Sequence, residues 1–423
     1  MYLKIHRGTT QIGGNIIEIG TENTHLIFDA GANLPLLDTR TCSDLIEIEG
    51  LTCGKAAYDA VFISHHHNDH CGLLDRILPS IPIWAGRETA RILDVIADFT
   101  NEKSGCVTDF FTGGGNCPST VIGDITVTPI GVDHSAYDAY MFLIQADGKN
   151  ILYTGDYRVV EDVPDVVQRL IGVAGNLDVL ITEGTNIRAV QRARGGTLNR
   201  TLRDERMVEE EASKLMEAHE GTIFLLCSST NEARIRAIDA ACQRVERIPC
   251  YDLFLTAVRD DLAKTDVCKA QPFVSSGVDE ERTPRIYPYF RRYYGQRALV
   301  GVETLAKLPQ KQVILIRTSM LKFIEKYLEI RNSKDDLLIY SMWEGYKDTE
   351  PVKQLLNFCA AHEIETVSLH CSGHAYQRGI KGLICRLKPT TLIPIHCDSA
   401  DRTLFEQMHS NCVMLQDGKR LEV

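Results

Sequence analysis

The chain has no long apolar run, and this absence argues against one class of protein. No stretch among its 423 residues approaches about 18 consecutive apolar residues, so we expect no membrane-spanning helix. The first residues, MYLKIHRGTT, lack the basic and then apolar pattern of a signal peptide. Since 44% of the residues are hydrophobic, the sequence predicts a globular protein of two or three domains.

Cysteine pairs of the form CxxC are also missing, although the chain has 14 cysteines. Their absence argues against a zinc ribbon. Because there is no export signal either, we interpret the cysteines as reduced thiols, mostly buried as small hydrophobic side chains. These features together predict a cytoplasmic protein.

Basic residues are fewer than acidic residues. Lys and Arg number 46 against 57 Asp and Glu, which gives a net charge of −11. This argues against a protein that coats nucleic acid through general electrostatics, but it does not exclude a nuclease, since bound metal ions reverse the local field. Arginines do crowd two stretches, 188–206 and 291–297, the second beside several tyrosines. For both stretches we weigh a solvated surface and a nucleic-acid contact about equally.

Metal-ligating residues are abundant in the stretch FISHHHNDHCG, residues 62–72. His65 and His67 alternate on an extended segment, so their side chains point to the same side and can bind one ion. Asp69 and His70 follow at the predicted start of a helix. The adjacent side chains of Asp69 and His70 point in different directions. Four ligands within six residues therefore fit two ions better than one.

Three further residues complete the predicted set. Asp156 closes a strand in YTGDYR and is a natural bridge between ions that lie roughly 3.5–4 Å apart in two-metal sites. His134 and His396 each lie in a loop just after a strand. Polar residues at strand ends are typical of the sites of layered α/β folds.

The pattern of predicted strands and helices changes near residue 200. A charged amphipathic helix and several buried strands follow, and they indicate a separate parallel-sheet domain over roughly 195–345. Polar, histidine-bearing loops return near residue 368. Residues 1–194 and 346–423 flank this domain and contain the predicted metal-site residues.

The metal-site motifs resemble the signature of the metallo-β-lactamase superfamily. They are Asp29 as the first motif, HxHxDH at 65–70, His134 in GVDHS, Asp156 in LYTGDYR and His396 in IPIHCD. The resemblance implies a four-layer αββα sandwich. It also implies that His65, His67 and His134 hold one metal, that Asp69, His70 and His396 hold the other, and that Asp156 bridges them.

The spacing of later motifs is similar to the beta-CASP branch, whose members are nucleases with an inserted domain. Glu183 lies 27 residues after Asp156 and matches motif A, an acid after a strand. His374 lies 191 residues further on and matches motif B, and His396 matches motif C. The stretch SGHAYQRGIKGLICRLKPTTLIPIH resembles the ribonuclease J family, as do GGNIIEIG and LLCSSTNEARI.

This resemblance implies a metal-dependent nuclease that cleaves single-stranded RNA as a 5′–3′ exonuclease, an endonuclease or both. A water activated by two divalent ions, zinc in first place and manganese as the alternative, would attack the phosphodiester and leave a 5′ phosphate. His374, oriented by Glu183, would contact the phosphate or donate a proton. The residues expected to seat the phosphate are His370, Ser372, Gly373, His374 and Ala375. Tyr137, Tyr157 and Tyr376 are candidates for base stacking, with plain packing as the alternative for each.

Two departures from the family indicate a diverged relative. Cys397 and Asp398 follow the last motif, where the family usually has glycine. The family's C-terminal domain, which is linked to oligomerisation, has no counterpart in the 27 residues after His396, so a homodimer would have to form without it. Three alternatives stay open: a DNA nuclease of the same branch, a small-molecule hydrolase of the superfamily, and a silent RNA-binding subunit.

Overall fold

The computed structural model describes most of the chain, and the described residues form two compact units. The described residues are 1–34, 46–111, 118–158, 172, 175–188, 204–259, 270–296, 299–331 and 334–423. The first unit comprises Met1–Asp94, Lys103–Val190 and Gly373–Val423, and the second comprises Val95–Glu102 and Gln191–Ser372. None of the helices within these ranges is long and apolar enough to cross a membrane.

The first unit contains a seven-stranded mixed sheet. Its strands are β1 (Tyr2–Arg7), β2 (Ile16–Gly20), β3 (His25–Phe28), β4 (Ala60–Phe62), β5 (Ile83–Gly86), β6 (Asp109–Phe111) and β19 (Arg420–Glu422). They are ordered β19-β1-β2-β3-β4-β5-β6. The pairs from β19 to β3 are antiparallel, and those from β3 to β6 are parallel. Because β3 and β4 are parallel neighbours, the residues that follow them meet at one edge.

A second sheet of six strands completes the sandwich. Its strands are β7 (Thr120–Ile122), β8 (Ile125–Val132), β9 (Ala139–Ala146), β10 (Lys149–Tyr153), β11 (Val179–Glu183) and β18 (Thr391–Ile395). They are ordered β18-β11-β10-β9-β8-β7. β10, β11 and β18 are parallel, and the remaining pairs are antiparallel. The three parallel strands therefore also end at one edge, where Asp156, Glu183 and His396 follow or terminate them.

Alternation along the strands buries one face of each sheet against the other. Leu3 and Ile5 of β1 share a buried cluster with Phe142 and Ile144 of β9. The outer face of the first sheet packs against α1 (Asn68–Cys71) and α2 (Arg87–Thr100), and that of the second against α10 (Gln377–Leu387) and α11 (Thr403–Glu406). Helices cover both outer faces, so the predicted four-layer α/β sandwich is confirmed.

The second unit is built on a six-stranded parallel sheet. Its strands are β12 (Ile223–Leu226), β13 (Ile248–Asp252), β14 (Gln271–Phe273), β15 (Gln312–Ile316), β16 (Leu337–Tyr340) and β17 (Glu365–Ser368), ordered β14-β13-β15-β12-β16-β17. The helices are α3 (Glu205–Ala218), α4 (Glu232–Arg244), α5 (Leu253–Arg259), α6 (Tyr287–Gln296), α7 (Val302–Lys307), α8 (Leu321–Arg331) and α9 (Glu350–Ala361). α3 and α4 cover one face, and α7, α8 and α9 cover the other. The central strands β12 and β16 are accordingly wholly buried.

The boundaries of the inserted domain differ from the sequence-based ones at one end. The expected insertion ends at 345, but β17 extends the parallel sheet by pairing with β16, and the second unit continues to Ser372. The reason is that β17 is short and half exposed, so its sequence does not show the apolar run of a central strand. The expected start, at 194–195, lies outside the described residues.

Candidate metal centre

Seven of the predicted site residues come together at one edge of the sandwich in the first unit. They are His65, His67, Asp69 and His70 after β4, His134 after β8, Asp156 after β10 and His396 after β18. Strand ends at a common edge bring together residues that are far apart along the chain. The seven side chains form two groups, each with ligand atoms within 4.8 Å of one another, and a third such group joins Asp156 and His396 to Glu183 and His374.

The first group consists of His65, His67, His134 and Asp156. Asp156 Oδ2 lies 3.9 Å from His65 Nε2 and 3.8 Å from His134 Nε2. The Nδ1 atom of His67 lies 3.2 Å from His134 Nε2. Three imidazoles and one carboxylate therefore surround a single point, as a tetrahedral metal ion would require.

The second group consists of Asp69, His70, Asp156 and His396. His396 Nε2 lies 3.2 Å from Asp69 Oδ2, and His70 Nε2 lies 3.1 Å from Asp156 Oδ2. The two Nε2 atoms of His70 and His396 are 3.3 Å apart. Asp156 belongs to both groups, so its carboxylate lies between them.

Two buried atoms of these groups lack ordinary partners. His65 Nε2 and Asp156 Oδ1 make no hydrogen bond with any residue in the described part of the chain. A buried polar atom without a partner costs about 1–3 kcal/mol, so such atoms call for a ligand. Imidazole nitrogens and carboxylate oxygens are ligands of divalent ions such as zinc and manganese. The residues present therefore fit metal ions.

Burial keeps the histidines of the first group neutral, and neighbouring histidines add to the effect. Burial, followed by neighbouring histidines, holds the pKa of His65 and of His134 well below the ordinary value. Burial also lowers the pKa of His67 to about 4. A neutral imidazole has a lone pair for a cation, so these three side chains are in the protonation state that metal binding needs.

The carboxylates are held in their charged form. Burial would raise the pKa of Asp156, but His396 and His70 hold it well below its ordinary value. For Asp69 burial is likewise outweighed, here by His70 and His396, and its pKa is lowered. Burial opposes the charge on His70, yet Asp156, with Asp29 and Asp69, raises its pKa well above the ordinary value. The second group thus concentrates negative charge that a cation would neutralise.

Asp29, the first motif residue, lies behind His70 and outside both groups. It accepts hydrogen bonds from His70 Nδ1 at 2.7 Å, Ser64 N at 2.7 Å and Tyr153 Oη at 2.5 Å. Its backbone is left-handed, with φ of 62°. With Nδ1 engaged by Asp29, His70 turns Nε2 toward Asp156. Tyr153 and Ser64 hold Asp29 in place through these hydrogen bonds, and the sequence did not single them out.

The backbone of Asp69 is enclosed by a glycine-rich loop. The amides of Gly14 and Asn15 donate to the Asp69 carbonyl at 3.0 and 3.1 Å. A Cβ at Gly31 would lie 1.8 Å from the same carbonyl oxygen, and one at Gly13 would lie 2.8 Å from Asp69 Cβ. The stretch GGNIIEIG therefore carries glycines where no side chain fits.

Gly373, predicted to seat phosphate, also orients a histidine of the first group. Its carbonyl accepts a hydrogen bond from His134 Nδ1 at 2.7 Å, which turns Nε2 toward Asp156. A Cβ at Gly373 would lie 2.4 Å from Ser135 Oγ. A glycine is consequently required where the loop passes His134.

Glu183 and His374 form an adjacent pair. His374 Nδ1 lies 3.1 Å from Glu183 Oε2 and 3.6 Å from Asp156 Oδ2. Glu183 also accepts from the amides of Tyr157, Thr185 and Ala375. Burial opposes the charge on His374, but Glu183 and then Asp156 raise its pKa to about 9. At neutral pH His374 therefore carries a proton, and it does so in contact with an anionic oxygen.

Thr185 is a site residue that the sequence did not suggest. Its Oγ1 lies 2.8 Å from His396 Nδ1, on the side of the ring opposite Asp69. Its amide donates to Glu183, which connects His396 with the Glu183–His374 pair. A threonine two residues after an acid at a strand end is a weak signal, since most such threonines only shape a turn.

Cys397 replaces the usual glycine as a packing residue. It is fully buried in an apolar cluster with Phe405 and Leu383, and burial raises the pKa of its thiol to about 12. A Cβ at Gly184 would lie 2.8 Å from Cys397 Cβ. Cys397 is not a member of either ligand group, and Asp398 is exposed.

The remaining residues that the sequence singled out lie outside the two ligand groups. His370 and Ser372 belong to the second unit, where His370 Nδ1 lies 3.3 Å from the Ser341 carbonyl oxygen. Tyr157 is 1% exposed, so its predicted role in base stacking is wrong. Several residues of the arginine-rich and cysteine sets lie outside the described residues: Arg192, Arg194, Arg200, Arg203, Arg297, Cys42, Cys117 and Cys268.

Comparison with known proteins gives one family match. Residues 49–223 match the description "Beta-lactamase superfamily domain". Ribonuclease J of Sinorhizobium meliloti is 22% identical over 82% of this chain and 59% of its own length. Ribonuclease J of Helicobacter pylori is 21% identical over 98% of this chain and 59% of its own length. The Integrator complex subunit 11 homolog of Dictyostelium discoideum is 28% identical over 44% of this chain and 27% of its own length.

The predicted resemblance to the metallo-β-lactamase superfamily and its ribonuclease J-like, beta-CASP branch is confirmed. The chain spans 59% of the length of the two ribonuclease J relatives. A crystal structure of a protein of unknown function from Enterococcus faecalis V583 has the same fold, with a TM-score of 0.77, 20% identity and 99% coverage of both chains. The likeness to that structure therefore covers the residues of both units, whereas the family model matches residues 49–223.

Proposed function

We propose that this metallo-β-lactamase relative is a metal-dependent nuclease that hydrolyses phosphodiester bonds of single-stranded RNA. The observation that carries the proposal is the sharing of Asp156 by two ligand groups, with the Glu183–His374 pair beside them. Similarity to ribonuclease J supports RNA as the substrate. The reaction would leave a 5′ phosphate and a 3′ hydroxyl, in exonuclease or endonuclease mode.

Two divalent ions, zinc in first place and manganese as the alternative, fit the two groups. His65, His67 and His134 would hold one ion, Asp69, His70 and His396 the other, and Asp156 both. Three neutral imidazoles favour zinc in the first group, whereas the carboxylates of the second also suit manganese. When bound, such ions lower the pKa of a water molecule and neutralise charge on phosphoryl oxygens.

The protein residues would orient this chemistry and handle its protons. Attack of water on phosphorus would form a new P–O bond and release one proton of the water to solvent. The bond to the 3′ oxygen would break, and its electron pair would stay on that oxygen. His374 is protonated at neutral pH, since Glu183 raises its pKa to about 9. It would give the departing oxygen its proton or hold the phosphate, with Glu183 fixing the ring through Nδ1.

The loop around His374 would seat the terminal phosphate of the substrate. The Gly373 carbonyl and the Ala375 amide are engaged by His134 and Glu183, so the loop is fixed before substrate arrives. His370 and Ser372 belong to the second unit, and their expected role in seating phosphate stays a prediction. Such prior fixing lowers the cost of ordering the loop on binding.

Three other functions are distinguishable from this one. A DNA nuclease would use the same groups and differ only at the 2′ hydroxyl. A small-molecule hydrolase would not need the insertion or the Glu183–His374 pair. A silent RNA-binding subunit would not need a full ligand set, yet all seven ligands are present.

The test is cleavage of matched oligonucleotides by the full chain, loaded with zinc or with manganese. The substrates are single-stranded RNA and DNA of one sequence, each with a 5′ monophosphate or a 5′ hydroxyl. We expect RNA to be cleaved to products with 5′ phosphates, and Asp69→Ala to abolish cleavage. Asp75→Ala, which removes a carboxylate from the surface six residues away, is the matched control and should cleave normally. Equal behaviour of wild type and Asp69→Ala on every substrate would contradict the proposal.

A further inference from the structure

Helix α6 in the second unit has one side on which two half-buried rings lie beside an exposed ring and an exposed guanidinium. This face, the α6 stripe, consists of Tyr287, Phe290, Arg291 and Tyr294. The rings of Tyr287 and Phe290 stack with centroids 6.2 Å apart, and those of Phe290 and Tyr294 with centroids 5.4 Å apart. Spacings of three and four residues place all four side chains on one side of a helix.

The opposite side of α6 packs into the second unit. Tyr289 Oη donates to Asp98 Oδ2 at 2.8 Å, and its ring lies 5.5 Å from that of Phe99. Tyr293 is 1% exposed. Packing of this side fixes the helix and leaves the α6 stripe outward, where Tyr294 is 68% exposed. The stripe is therefore a rigid surface feature and not part of a core.

The charge around the stripe is opposite to that of the chain. From 282 to 296 there are four arginines and no acidic residue, although the chain carries a net charge of −11. Arg285 is engaged by Asp98. Arg291 is exposed and forms no ion pair or hydrogen bond with any residue that the structure describes. Positive charge that no described neighbour neutralises thus lies on the same side of the helix as the exposed ring of Tyr294.

Stacked rings beside an arginine of this kind complement one class of ligand. Bases of a single strand stack on aromatic rings at about 1–3 kcal/mol per base, and an arginine pairs with the phosphate between them. A duplex hides its base faces, so it can use the charge only. We propose that the α6 stripe binds single-stranded RNA, with a base stacked on Tyr294 and a phosphate at Arg291. The choice of RNA rests on the proposed function.

The test measures the Kd of the full chain for a single-stranded ten-nucleotide oligouridylate by fluorescence anisotropy. The oligonucleotide carries a 3′ fluorescein and phosphorothioate linkages, so that it stays intact. We expect Tyr294→Ala to raise Kd about 5- to 100-fold, and Tyr294→Trp, which keeps a ring, to bind like wild type. Arg291→Ala should reduce the slope of log K against log salt by about 0.7, the value for one lost phosphate contact on a single strand. Tyr294→Ala should leave that slope unchanged.

The matched control is Trp343→Ala, because Trp343 is 61% exposed in the same unit but is followed by Glu344. It should bind like wild type. The inference is overturned if Tyr294→Ala binds as tightly as Trp343→Ala, or if every variant changes the affinity for a duplex of the same length equally. It is also overturned if phosphatidylserine vesicles capture the wild type through Tyr294 while the Kd for RNA is unaffected.

The same series separates this inference from the proposed function. Cleavage that depends on Asp69, with an unchanged Kd in Tyr294→Ala, would overturn the inference alone. A metal-loaded chain that cleaves no RNA, but binds it through Tyr294, would overturn the proposed nuclease and leave the α6 stripe as an RNA-binding surface.

Discussion

Asp29 Oδ2 lies 2.7 Å from Nδ1 of His70, although 41 residues separate the two along the chain. The contact joins the end of β3 to the start of α1, and it fixes which nitrogen of His70 faces Asp156. Replacing Asp29 with Asn should leave the first ligand group intact and weaken the second. We expect metal affinity at one of two sites to fall about 10- to 100-fold, as found when the partner of a ligating histidine is removed.

This prediction is checked by competition with a chromophoric chelator, which resolves the two sites. Asp75→Asn is the control, because Asp75 is an exposed carboxylate near the same helix. Retention of two equally tight ions in Asp29→Asn would show that His70 does not need the Asp29 contact.

Thr185 should support the same ion from the other side. Its hydroxyl lies 2.8 Å from His396 Nδ1, so Thr185→Val removes the contact and keeps the shape of the side chain. We expect a loss of affinity at one site of about 10-fold or more, and Thr185→Ser should restore it. Chelator competition again provides the measurement. Thr128→Val, whose hydroxyl contacts Ser119 instead, should change nothing at the metal sites.

Gly31 should tolerate no side chain at all. A Cβ there would lie 1.8 Å from the carbonyl oxygen of Asp69, which is backbone and has little room to move. Gly31→Ala should lower the free energy of unfolding by about 1–3 kcal/mol, the usual cost of overpacking, and should displace Asp69. Urea unfolding and metal content measure the two effects. Gly131→Ala is the control, because no atom lies within 4 Å of a Cβ placed at Gly131.

A buried carboxyl in the second unit should make stability depend on pH. Burial raises the pKa of Asp239 from 3.8 to about 6, although Arg259 opposes the shift. The folded protein keeps this proton up to about pH 6, whereas the unfolded chain releases it near pH 3.8. The stabilisation of the folded state by this bound proton is therefore complete below pH 3.8 and is lost as pH rises through 6.

Replacement of Asp239 by Asn isolates this titration. Between pH 4 and 7 the free energy of unfolding of the wild type should fall relative to that of Asp239→Asn by up to about 3 kcal/mol. Urea unfolding of both proteins in steps of pH provides the curves. A constant difference between them over this range would show that Arg259 and its neighbours keep Asp239 ionised throughout.

The sequence could predict that these seven side chains lie together because each stands near a strand end within a short pattern. His65, His67, Asp69 and His70 lie within six residues, and strand periodicity alone indicates where their side chains point. The alternation of strands and helices predicted a layered α/β fold, and the family resemblance implied the four layers.

Other features depend on tertiary contacts that no local pattern reports. Thr185 and Tyr153 matter through one hydrogen bond each, to His396 and to Asp29. Tyr157 sits beside a ligand yet points into the core, because a one-residue step along an extended segment reverses the side chain. The packing of Cys397 against Gly184 likewise appears only once the two strands are neighbours.

The central claim, that Asp156 joins two metal ions, is tested most directly by anomalous diffraction from crystals of the zinc-loaded chain. We predict two anomalous peaks roughly 3.5–4 Å apart on either side of the Asp156 carboxylate, one among His65, His67 and His134 and the other among Asp69, His70 and His396. A single peak, or peaks that leave the Asp156 carboxylate out of contact, would contradict the account.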